Sequence, residues 1–321
     1  MKKADHKQPE RHELVKFDAL IKAAQQVTPQ HCAVAHPCDA TSLSAAVEAH
    51  ELKLITPILI GPKHKIEQVA EQEGLDIRGL DLIDTPHSHA AAAEAVAQVR
   101  AGNASLLMKG SLHTDELMHE VVQTKTGLRT ASRLSHVFLM DVPTYEEPLF
   151  ITDAAINISP DLNCKVDIVQ NAINLHIALG LGTPRVAILS AVEQVNPKIA
   201  STIDAAALCK MAERGQITAG ILDGPLAMDN AVSPRAAEMK GLTSAVAGRA
   251  QILVVPDLEA GNMLAKNLIF LAGADAAGLV VGAKVPIILT SRADTRVARL
   301  ASCGVATLYA DYLTRQAPAI R

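Results

Sequence analysis

Residues 31–74, HCAVAHPCDATSLSAAVEAHELKLITPILIGPKHKIEQVAEQEG, alternate between short apolar runs and segments with helical spacing of their apolar residues. The runs 31–37 and 55–62 are short, rich in aliphatic residues and ended by Pro or Gly, so they predict buried strands. The segments 39–50 and 64–74 predict helices. This strand–helix–strand–helix order is typical of a parallel sheet that is covered by helices.

The same alternation continues to the end of the chain, which indicates an α/β fold throughout. Apolar runs predict further strands over 80–84, 104–110, 135–143, 149–156, 185–191, 217–225, 251–257 and 285–291. Helical spacing predicts further helices over 87–102, 114–122, 164–181, 197–215, 261–273 and 291–304. At about 150 residues per domain, the 321 residues predict two doubly wound α/β domains. No linker separates them, which favours an active site in the cleft between the domains.

The composition excludes several classes of protein. Apolar residues make up 49% of the chain and charged residues 20%, which excludes a disordered chain. There is no Trp, and Phe and Tyr are scarce, so the predicted core consists of Ala, Leu, Ile and Val. The same scarcity argues against stacking on nucleic-acid bases. A formal charge of −4 gives no general attraction to nucleic acid or to an anionic membrane surface.

The five cysteines, Cys32, Cys38, Cys164, Cys209 and Cys303, are widely spaced and form no CxxC pair. This pattern predicts reduced thiols in a cytoplasmic protein rather than disulfides or a zinc site. Neither a signal peptide nor a transmembrane span is predicted, since no apolar run is long enough. No HExxH pattern is present, so no metal site is expected.

Four predicted strands end in polar residues, at 108–115, 221–233, 254–262 and 287–294. Ligands of open α/β sheets bind beyond the carboxyl ends of strands. In the last segment, Ser291 and Arg292 stand where a helix is predicted to begin. A helix N-terminus and an arginine both suit an anion such as phosphate, and Asp294 is a possible proton acceptor. The alternative interpretation is that Ser291 and Asp294 only cap the helix.

The other strand ends supply further candidates for phosphate or coenzyme binding, each with a structural alternative. Lys109 and Ser111 follow a strand without forming a Walker loop. Arg129 and Arg133 would share one face of a helix and could clamp a diphosphate, or they form a solvated surface. The remaining candidates belong to tight turns or helix caps and are Asp223, Gly224, Asp257, Gly261 and Asn262.

Five segments, taken together and in this order, resemble the phosphate acetyltransferase and phosphate butyryltransferase family. The resemblance covers about residues 15 to 315. The sequence is most similar to the butyryltransferase-like branch, whose members are often named bifunctional enoyl-CoA hydratase/phosphate acetyltransferase. Only the acyltransferase part of that name has a counterpart in these segments. The segments are GLRTASRLSHVFLMDVP (127–143), ITDAAINISPDLNCKVDIVQNA (151–172), ILDGPLAMDNAVS (221–233), PDLEAGNMLAKNL (256–268) and VPIILTSRAD (285–294).

The resemblance implies reversible transfer of an acetyl- or butyryl-type acyl group between coenzyme A and inorganic phosphate. It implies no tightly bound cofactor, with coenzyme A as a substrate, and a homo-oligomer. The implied fold resembles that of isocitrate and isopropylmalate dehydrogenases. One domain would comprise residues 1–148 plus 283–321 and the other residues 149–282, with the site in the cleft.

The resemblance also implies roles for single residues. Ser291 would stabilise the oxyanion that forms on the acyl carbonyl, and Arg292 would bind phosphate. Acetyltransferase relatives carry a catalytic aspartate several residues after the serine–arginine pair. Here Asp294 is the nearby carboxylate, so it is the predicted base. Relatives also carry an arginine in the helix that corresponds to 114–120, where this chain has none, so Arg129 or Arg133 would substitute for it.

Two other functions remain open at this point. One is a nicotinamide-linked dehydrogenase built on a similar two-domain fold, although Gly180 and Gly182 stand in the reverse of a dinucleotide-binding context. The other is a non-catalytic acyl-CoA-binding protein. Turnover with phosphate separates both from an acyltransferase.

Overall fold

The computed structural model describes residues 15–289 and 294–316. Its strands are β1 Gln30–Ala35, β2 Ile55–Gly61, β3 Asp81–Asp84, β4 Leu106–Lys109, β5 Ser135–Asp141, β6 Leu149–Thr152, β7 Arg185–Leu189, β8 Ile221–Leu226, β9 Ile252–Val254, β10 Asp275–Val281 and β11 Ile287–Ile288. Its helices are α1 Val15–Ala24, α2 Ala40–Glu51, α3 Lys63–Glu73, α4 Ser88–Arg100, α5 Thr114–Val121, α6 Leu162–Ala178, α7 Ala200–Glu213, α8 Met228–Val232, α9 Pro234–Met239, α10 Leu258–Leu271 and α11 Arg296–Gln316.

All the strands join one eleven-stranded sheet, in the order β3-β2-β1-β4-β11-β10-β5-β6-β9-β7-β8. The first five strands of this order are parallel to one another, and so are the last four. Between these sets, β10 and β5 pair antiparallel with each other and with their outer neighbours. The two parallel sets therefore run in opposite directions. The α/β class is confirmed, and the antiparallel centre is a feature that the sequence did not predict.

Along the strand direction, the two parallel sets of strands overlap only near the middle of the sheet. One row of paired residues crosses seven strands, namely Met108, Ile288, Leu279, Val137, Thr152, Val254 and Ile188. Strands β1 and β4 reach this row from one side and end one residue beyond it, at Ala35 and Lys109. Strands β6 and β9 reach it from the other side and end on it. The carboxyl ends of the two sets consequently point to opposite edges of the sheet.

Helices cover both faces of the sheet, and the core is aliphatic as expected. One large cluster joins both halves and is packed against α2, α6 and α11. Two smaller clusters fill the opposite face, one under α4 and α5 and the other under α10. Short Ala side chains let helices approach the sheet closely, which suits a chain with so few aromatic residues. Phe17 and Phe150 are the largest fully buried side chains among the described residues.

The C-terminal part of the chain returns to the first half of the sheet. Strand β11 inserts between β4 and β10, and α11 packs against α1 and α2. The guanidinium nitrogen Nε of Arg296 donates a hydrogen bond to the carboxylate of Glu48 in α2 at 2.7 Å. The exact division into residues 1–148 plus 283–321 and residues 149–282 stays a prediction.

Within the described residues, no helix has both the length and the apolar character needed to cross a membrane.

A glycine at position 110 is required by the close approach of β4 to the chain that leaves β1. A Cβ atom on Gly110 would overlap the carbonyl oxygens of Ala35 and His36, which are backbone atoms and cannot rotate away. We therefore expect Gly110→Ala to lower the free energy of unfolding by about 2 kcal/mol, through overpacking. The measurement is the midpoint of chemical denaturation.

Gly304 provides the matched control. It lies inside α11, and a Cβ atom there would stand 3.5 Å from the Cβ of Ala24, an ordinary contact. Gly304→Ala should leave stability unchanged or raise it by roughly 0.5–1 kcal/mol, because alanine favours a helix over glycine. An equal loss of stability in both variants would contradict the explanation by close approach.

Candidate active site

The carboxyl ends of β1 and β4 are joined by a compact set of hydrogen bonds. The amide of Gly110 donates to the carbonyl oxygen of Ala35 at 2.9 Å, and that of Ser111 donates to the carbonyl oxygen of His36 at 2.9 Å. The hydroxyl of Ser111 donates to the same His36 carbonyl at 2.8 Å. The Ser111 oxygen also accepts from the amide of Cys38 at 3.2 Å and lies 3.1 Å from Nδ1 of His36.

Lys109 brings a positive charge to these strand ends. Its Nζ donates to the carbonyl oxygens of Gly110 and Leu112, both at 3.2 Å. The ammonium group is therefore held beside the strand end rather than extended into solvent. Lys109 and Ser111, both predicted as binding residues, lie together here with His36. We call His36, Lys109 and Ser111 the strand-end cluster.

Ser291 and Arg292 lie outside the described residues. The described chain follows β11 to Leu289, and Ile288 pairs with Met108 of β4. It resumes at Asp294, whose carbonyl oxygen accepts a hydrogen bond from Nη1 of Arg299 at 2.6 Å. The described part of β11 therefore runs beside β4 toward the edge that carries Lys109.

The cap of the last helix is not where the sequence predicted it. Helix α11 begins at Arg296, and the hydroxyl of Thr295 accepts from the amide of Ala298 at 3.1 Å. The same hydroxyl donates to Asp275 at 2.9 Å. The predicted helix start at Ser291 is therefore wrong, because Thr295 supplies the side-chain cap. Capping of α11 does not account for Ser291 and Asp294.

Arg129 and Arg133 lie on the opposite edge of the sheet, and the prediction that they share a helix face is wrong. Residues 127–134 contain no helix, and Arg129 forms an isolated bridge with Ala283. The backbone of Arg133 is held by α6. Its amide donates to Asp167 at 3.1 Å, and its carbonyl oxygen accepts from Asn171 at 2.9 Å.

Arg133 borders a cavity of about 330 Å³ at the N-terminal end of α6. We call this the Arg133 cavity; its lining residues are Arg133, Ile156, Asn157, Ile158, Ser159, Pro160, Asp161 and Cys164. The exposed Arg133 side chain and the first turn of α6 both contribute positive potential. Asp161 caps α6 by accepting from the amide of Cys164 at 2.7 Å. The cavity can hold an anionic group next to an apolar wall.

The loop beside this cavity is organised by Asp153, a buried carboxylate that sequence analysis missed. Its oxygens accept from the amides of Ala155, Ile156 and Asn157 at 3.0, 3.0 and 3.1 Å. The side chain of Asn157 donates to it as well, at 2.6 Å. These four donors compensate the burial of the charge. The position of an aspartate directly after strand β6 was the available signal.

Asp223 and Gly224 lie within strand β8 rather than in a turn after it. The amide of Gly224 donates to the Asp223 carboxylate at 2.8 Å. A Cβ atom on Gly224 would stand 2.8 Å from the Cβ and the carbonyl oxygen of Ile188, so glycine permits the close approach to β7. The tight turn expected at these residues is wrong, because both belong to β8, and a ligand role for either residue stays a prediction.

Asp257, Gly261 and Asn262 fasten α10 to the loop that follows β6. Asp257 caps α10 by accepting from the amide of Ala260 at 2.9 Å. A Cβ atom on Gly261 would come within 3.0 Å of both the Cβ of Ala154 and the carbonyl oxygen of Asp153. Asn262 donates to the carbonyl oxygen of Ala154 at 3.3 Å. The capping alternative is confirmed for Asp257, and the ligand role of these residues stays a prediction.

Burial controls the protonation of the reactive side chains. It raises the pKa of Cys38 to about 11, and those of Cys209 and Cys303 to about 12. These thiols are protonated at neutral pH and are poor nucleophiles. Burial lowers the pKa of His136 to about 4, against the opposing charge of Asp153, so this histidine is neutral. None of these groups suits covalent catalysis.

All five cysteines are free thiols. In the parts of the chain that the structure describes, no group of three or more His, Cys, Asp or Glu side chains is arranged to hold a metal ion. His36 is the titratable group at the strand-end cluster that sequence analysis missed, although its place at the end of a predicted strand was a usable signal.

A family model described as phosphate acetyl/butaryl transferase matches residues 87–302. The chain is 68% identical over 295 residues to a protein named phosphate acetyltransferase from Rhizobium meliloti, covering 92% of this chain and 93% of that protein. It is 40% identical over 294 residues to a phosphate butyryltransferase from Clostridium beijerinckii, covering 92% and 97%.

A solved structure shows the same fold. The branched-chain phosphotransacylase from Enterococcus faecalis superposes with a TM-score of 0.76 at 29% sequence identity, covering 88% of this chain and 99% of that one. The family model spans two thirds of the chain, and the relatives match it over nearly their whole length. The resemblance that the five sequence segments indicated is thereby confirmed: this chain belongs to the phosphate acetyl/butaryl transferase family.

Proposed function

We propose that the protein reversibly transfers an acyl group between coenzyme A and inorganic phosphate, forming an acyl phosphate and free coenzyme A. The observation that carries this proposal is family membership over most of the chain. The placement of Lys109 and Ser111 supports it, because they lie beside the strand that leads to the serine–arginine pair. Nothing in the described structure favours the nicotinamide-linked dehydrogenase, and family membership argues against it.

The strand-end cluster suits the acyl-transfer step. In the direction of acyl-CoA synthesis, the thiolate attacks the acyl carbonyl and an oxyanion develops on its oxygen. Ser291 and nearby backbone amides would stabilise this oxyanion. Arg292 binds the phosphate group with two parallel hydrogen bonds, and Lys109 adds a second positive charge. The sequence position of Asp294 makes this carboxylate a candidate for the base.

The Arg133 cavity is too far from the strand-end cluster to bind the same phosphate ion. Ser135 pairs with Val281 near one end of β10, whereas Lys109 lies beyond the central row of the sheet. Strand spacing of about 4.8 Å and a rise of about 3.3 Å per residue place Arg133 roughly 20 Å from Lys109. Coenzyme A carries a diphosphate far from its thiol. We assign Arg133, and Arg129 beside it, to that diphosphate.

Two further parts of the proposal concern the protein's surroundings. Five free thiols are typical of a reducing compartment, which supports a cytoplasmic location. Helix α10 supports a homo-oligomer. Met263, Phe270 and Leu271 on its outer side are 65%, 73% and 82% exposed, while Gly261 and Ala265 are buried on its inner side. Large apolar side chains exposed together on one helix mark an interaction surface, so we propose that a second copy of the chain covers them.

Arg292→Ala tests the phosphate site. Loss of a charged donor that acts on the transition state should lower kcat by about 100-fold or more. The assay is phosphate-dependent release of free thiol from acetyl-, propionyl- and butyryl-CoA. Arg296→Ala, which removes an exposed ion pair with Glu48, is the matched control and should keep wild-type activity. If the wild-type protein binds coenzyme A without turning over any acyl-CoA, the protein is a binding protein and the proposal fails.

Arg133→Ala separates the two anion sites. We expect the KM for coenzyme A to rise about tenfold, as the loss of a charge-assisted hydrogen bond predicts, while the KM for phosphate stays the same. The measurement is initial rates with each substrate varied in turn. Arg100→Ala, an exposed arginine in the last turn of α4, is the control. A raised KM for phosphate alone would return Arg133 to the phosphate site and contradict the assignment.

Phe270→Glu tests the oligomer. A carboxylate on the apolar side of α10 should shift the protein to a smaller species, because burying an unpaired charge is costly. Light scattering coupled to size-exclusion chromatography measures the mass. Val122→Glu is the control, since Val122 is also exposed but lies at the end of α5. Equal masses for wild type and Phe270→Glu would exclude α10 as the interface.

A further inference from the structure

The proposed reaction requires a group that takes the proton from the coenzyme A thiol. A thiol with a pKa near 8.5 is mostly protonated at neutral pH, so attack on an acyl phosphate needs a base. Asp294 is a candidate because of its place in the sequence. The structure holds a second candidate, His36, at the strand-end cluster. The inference below rests on the proposed function.

The location of His36 is that of a functional residue. It is the first residue after β1 and lies beside β4, whose end carries Lys109 and Ser111. Its backbone has φ +55°, in the left-handed region that few residues other than glycine adopt. Hydrogen bonds from Ser111 to its carbonyl oxygen hold this conformation. The result is an imidazole ring that is half-buried at the edge where strands β1, β4 and β11 end.

The hydrogen bonds of Ser111 determine which ring nitrogen of His36 carries the proton. A serine hydroxyl has one hydrogen, and that of Ser111 is donated to the His36 carbonyl at 2.8 Å. The Ser111 oxygen can then only accept from its other partners. It accepts from the amide of Cys38 and, at 3.1 Å, from Nδ1 of His36. Nδ1 is therefore protonated, and Nε2 carries the lone pair.

Nε2 has no hydrogen-bond partner within the described parts of the chain. Other histidines of the chain differ from His36. Nδ1 of His50 and Nδ1 of His176 each contact a backbone carbonyl oxygen, and His136 is buried inside the sheet. In His36 one nitrogen is held by an acceptor, and the other has no hydrogen-bond partner among the described residues. This is the arrangement in which the imidazole of a catalytic triad acts as a base.

Burial, more than the surrounding charges, lowers the pKa of His36 and keeps the ring neutral. Lys65 of α3 and burial lower the pKa of His36, with burial the larger cause. Glu116 of α5 and Asp39, the cap of α2, act in the opposite direction. Because the balance is a lowered pKa, the ring is unprotonated at pH 7 and above. A base must be in this state before the reaction begins.

We propose that Nε2 of His36 is the base that takes the proton from the coenzyme A thiol during acyl-CoA synthesis. The S–H bond breaks and an N–H bond forms on Nε2, leaving a thiolate that attacks the acyl carbonyl. The new C–S bond replaces the C–O bond to phosphate. The imidazolium then gives its proton to the departing phosphate, which restores neutral His36. In the reverse direction, the imidazolium protonates the departing thiolate. Ser111 is a positioning residue that fixes the tautomer.

His36→Asn is the sharpest test. Asparagine tolerates a positive φ, and its amide can replace Nδ1 as the donor to Ser111, but it has nothing in the place of Nε2. We expect kcat for acyl-CoA synthesis to fall by at least about 100-fold, the usual contribution of general base catalysis. Added imidazole should restore part of the rate. Binding of coenzyme A, measured by calorimetry, should stay the same.

The pH profile distinguishes His36 from Asp294. The wild-type kcat should fall as the pH drops through the lowered pKa of His36, below about 6.5, because the ring becomes protonated. This acidic limb should be absent from the residual activity of His36→Asn and present in Asp294→Asn. If His36→Asn retains both the rate and the limb, or if Asp294→Asn alone removes the limb, His36 is not the base.

Ser111→Ala tests the same idea while keeping the imidazole. Loss of the acceptor at Nδ1 should lower kcat by about tenfold without changing the KM for coenzyme A, since the tautomer is no longer fixed. An unchanged kcat would contradict the positioning role. Phosphate-dependent turnover by the wild-type protein reports on the proposed function separately. If that turnover is present while His36→Asn is fully active, only the inference about His36 fails.

Discussion

The antiparallel pairing of β10 with β5 determines how the rest of the molecule is arranged. Seven consecutive residues of β10, Asp275–Val281, pair with the whole of β5. Strand β11 is antiparallel to β10, and β6 is antiparallel to β5, so β11 and β6 run in opposite directions. The strands beyond β11 are parallel to it, and the strands beyond β6 are parallel to β6. The hydrogen-bonding requirement of the backbone enforces this arrangement, since a buried strand with an unpaired edge is costly. The two sets of carboxyl ends, and the helix starts that follow them, therefore occupy separate edges.

The small residues of the chain make this arrangement compact. Glycines occur where a backbone or helix must come closer than a Cβ atom allows, as at Gly110 beside β1 and at Gly261 beside Ala154. Each of these two contacts holds a loop with candidate functional residues against its neighbouring element. The first holds the turn with Lys109 and Ser111, and the second holds the loop of Asp153. The same glycines therefore permit the close packing and hold the polar loops of the candidate sites on rigid elements.

The alternation of strands and helices was predictable, because burial of parallel strands leaves apolar runs of a characteristic length. Strand β10 was missed: its sequence, DAAGLVV, begins with residues of low strand propensity and follows directly on an apolar helix. Strand polarity depends on pairing between distant segments, so the opposite placement of Lys109 and Arg133 could not be derived. The family motifs identified the chemistry. His36 was missed because its significance depends on Ser111, which is 75 residues away along the chain.

The backbone of His36 gives a reason to separate it from ordinary surface histidines. Three residues other than glycine have positive φ among those described, namely His36, Lys53 and Ala219. Such a conformation costs on the order of 1 kcal/mol. Lys53 lies in the turn between α2 and β2, where it completes the helix end through a bond to the carbonyl of His50. His36 differs, because its conformation turns the chain so that one serine contacts both its carbonyl and its ring. A strained conformation that also fixes a tautomer, beside a lysine and at a strand end, is better explained by proton transfer than by packing.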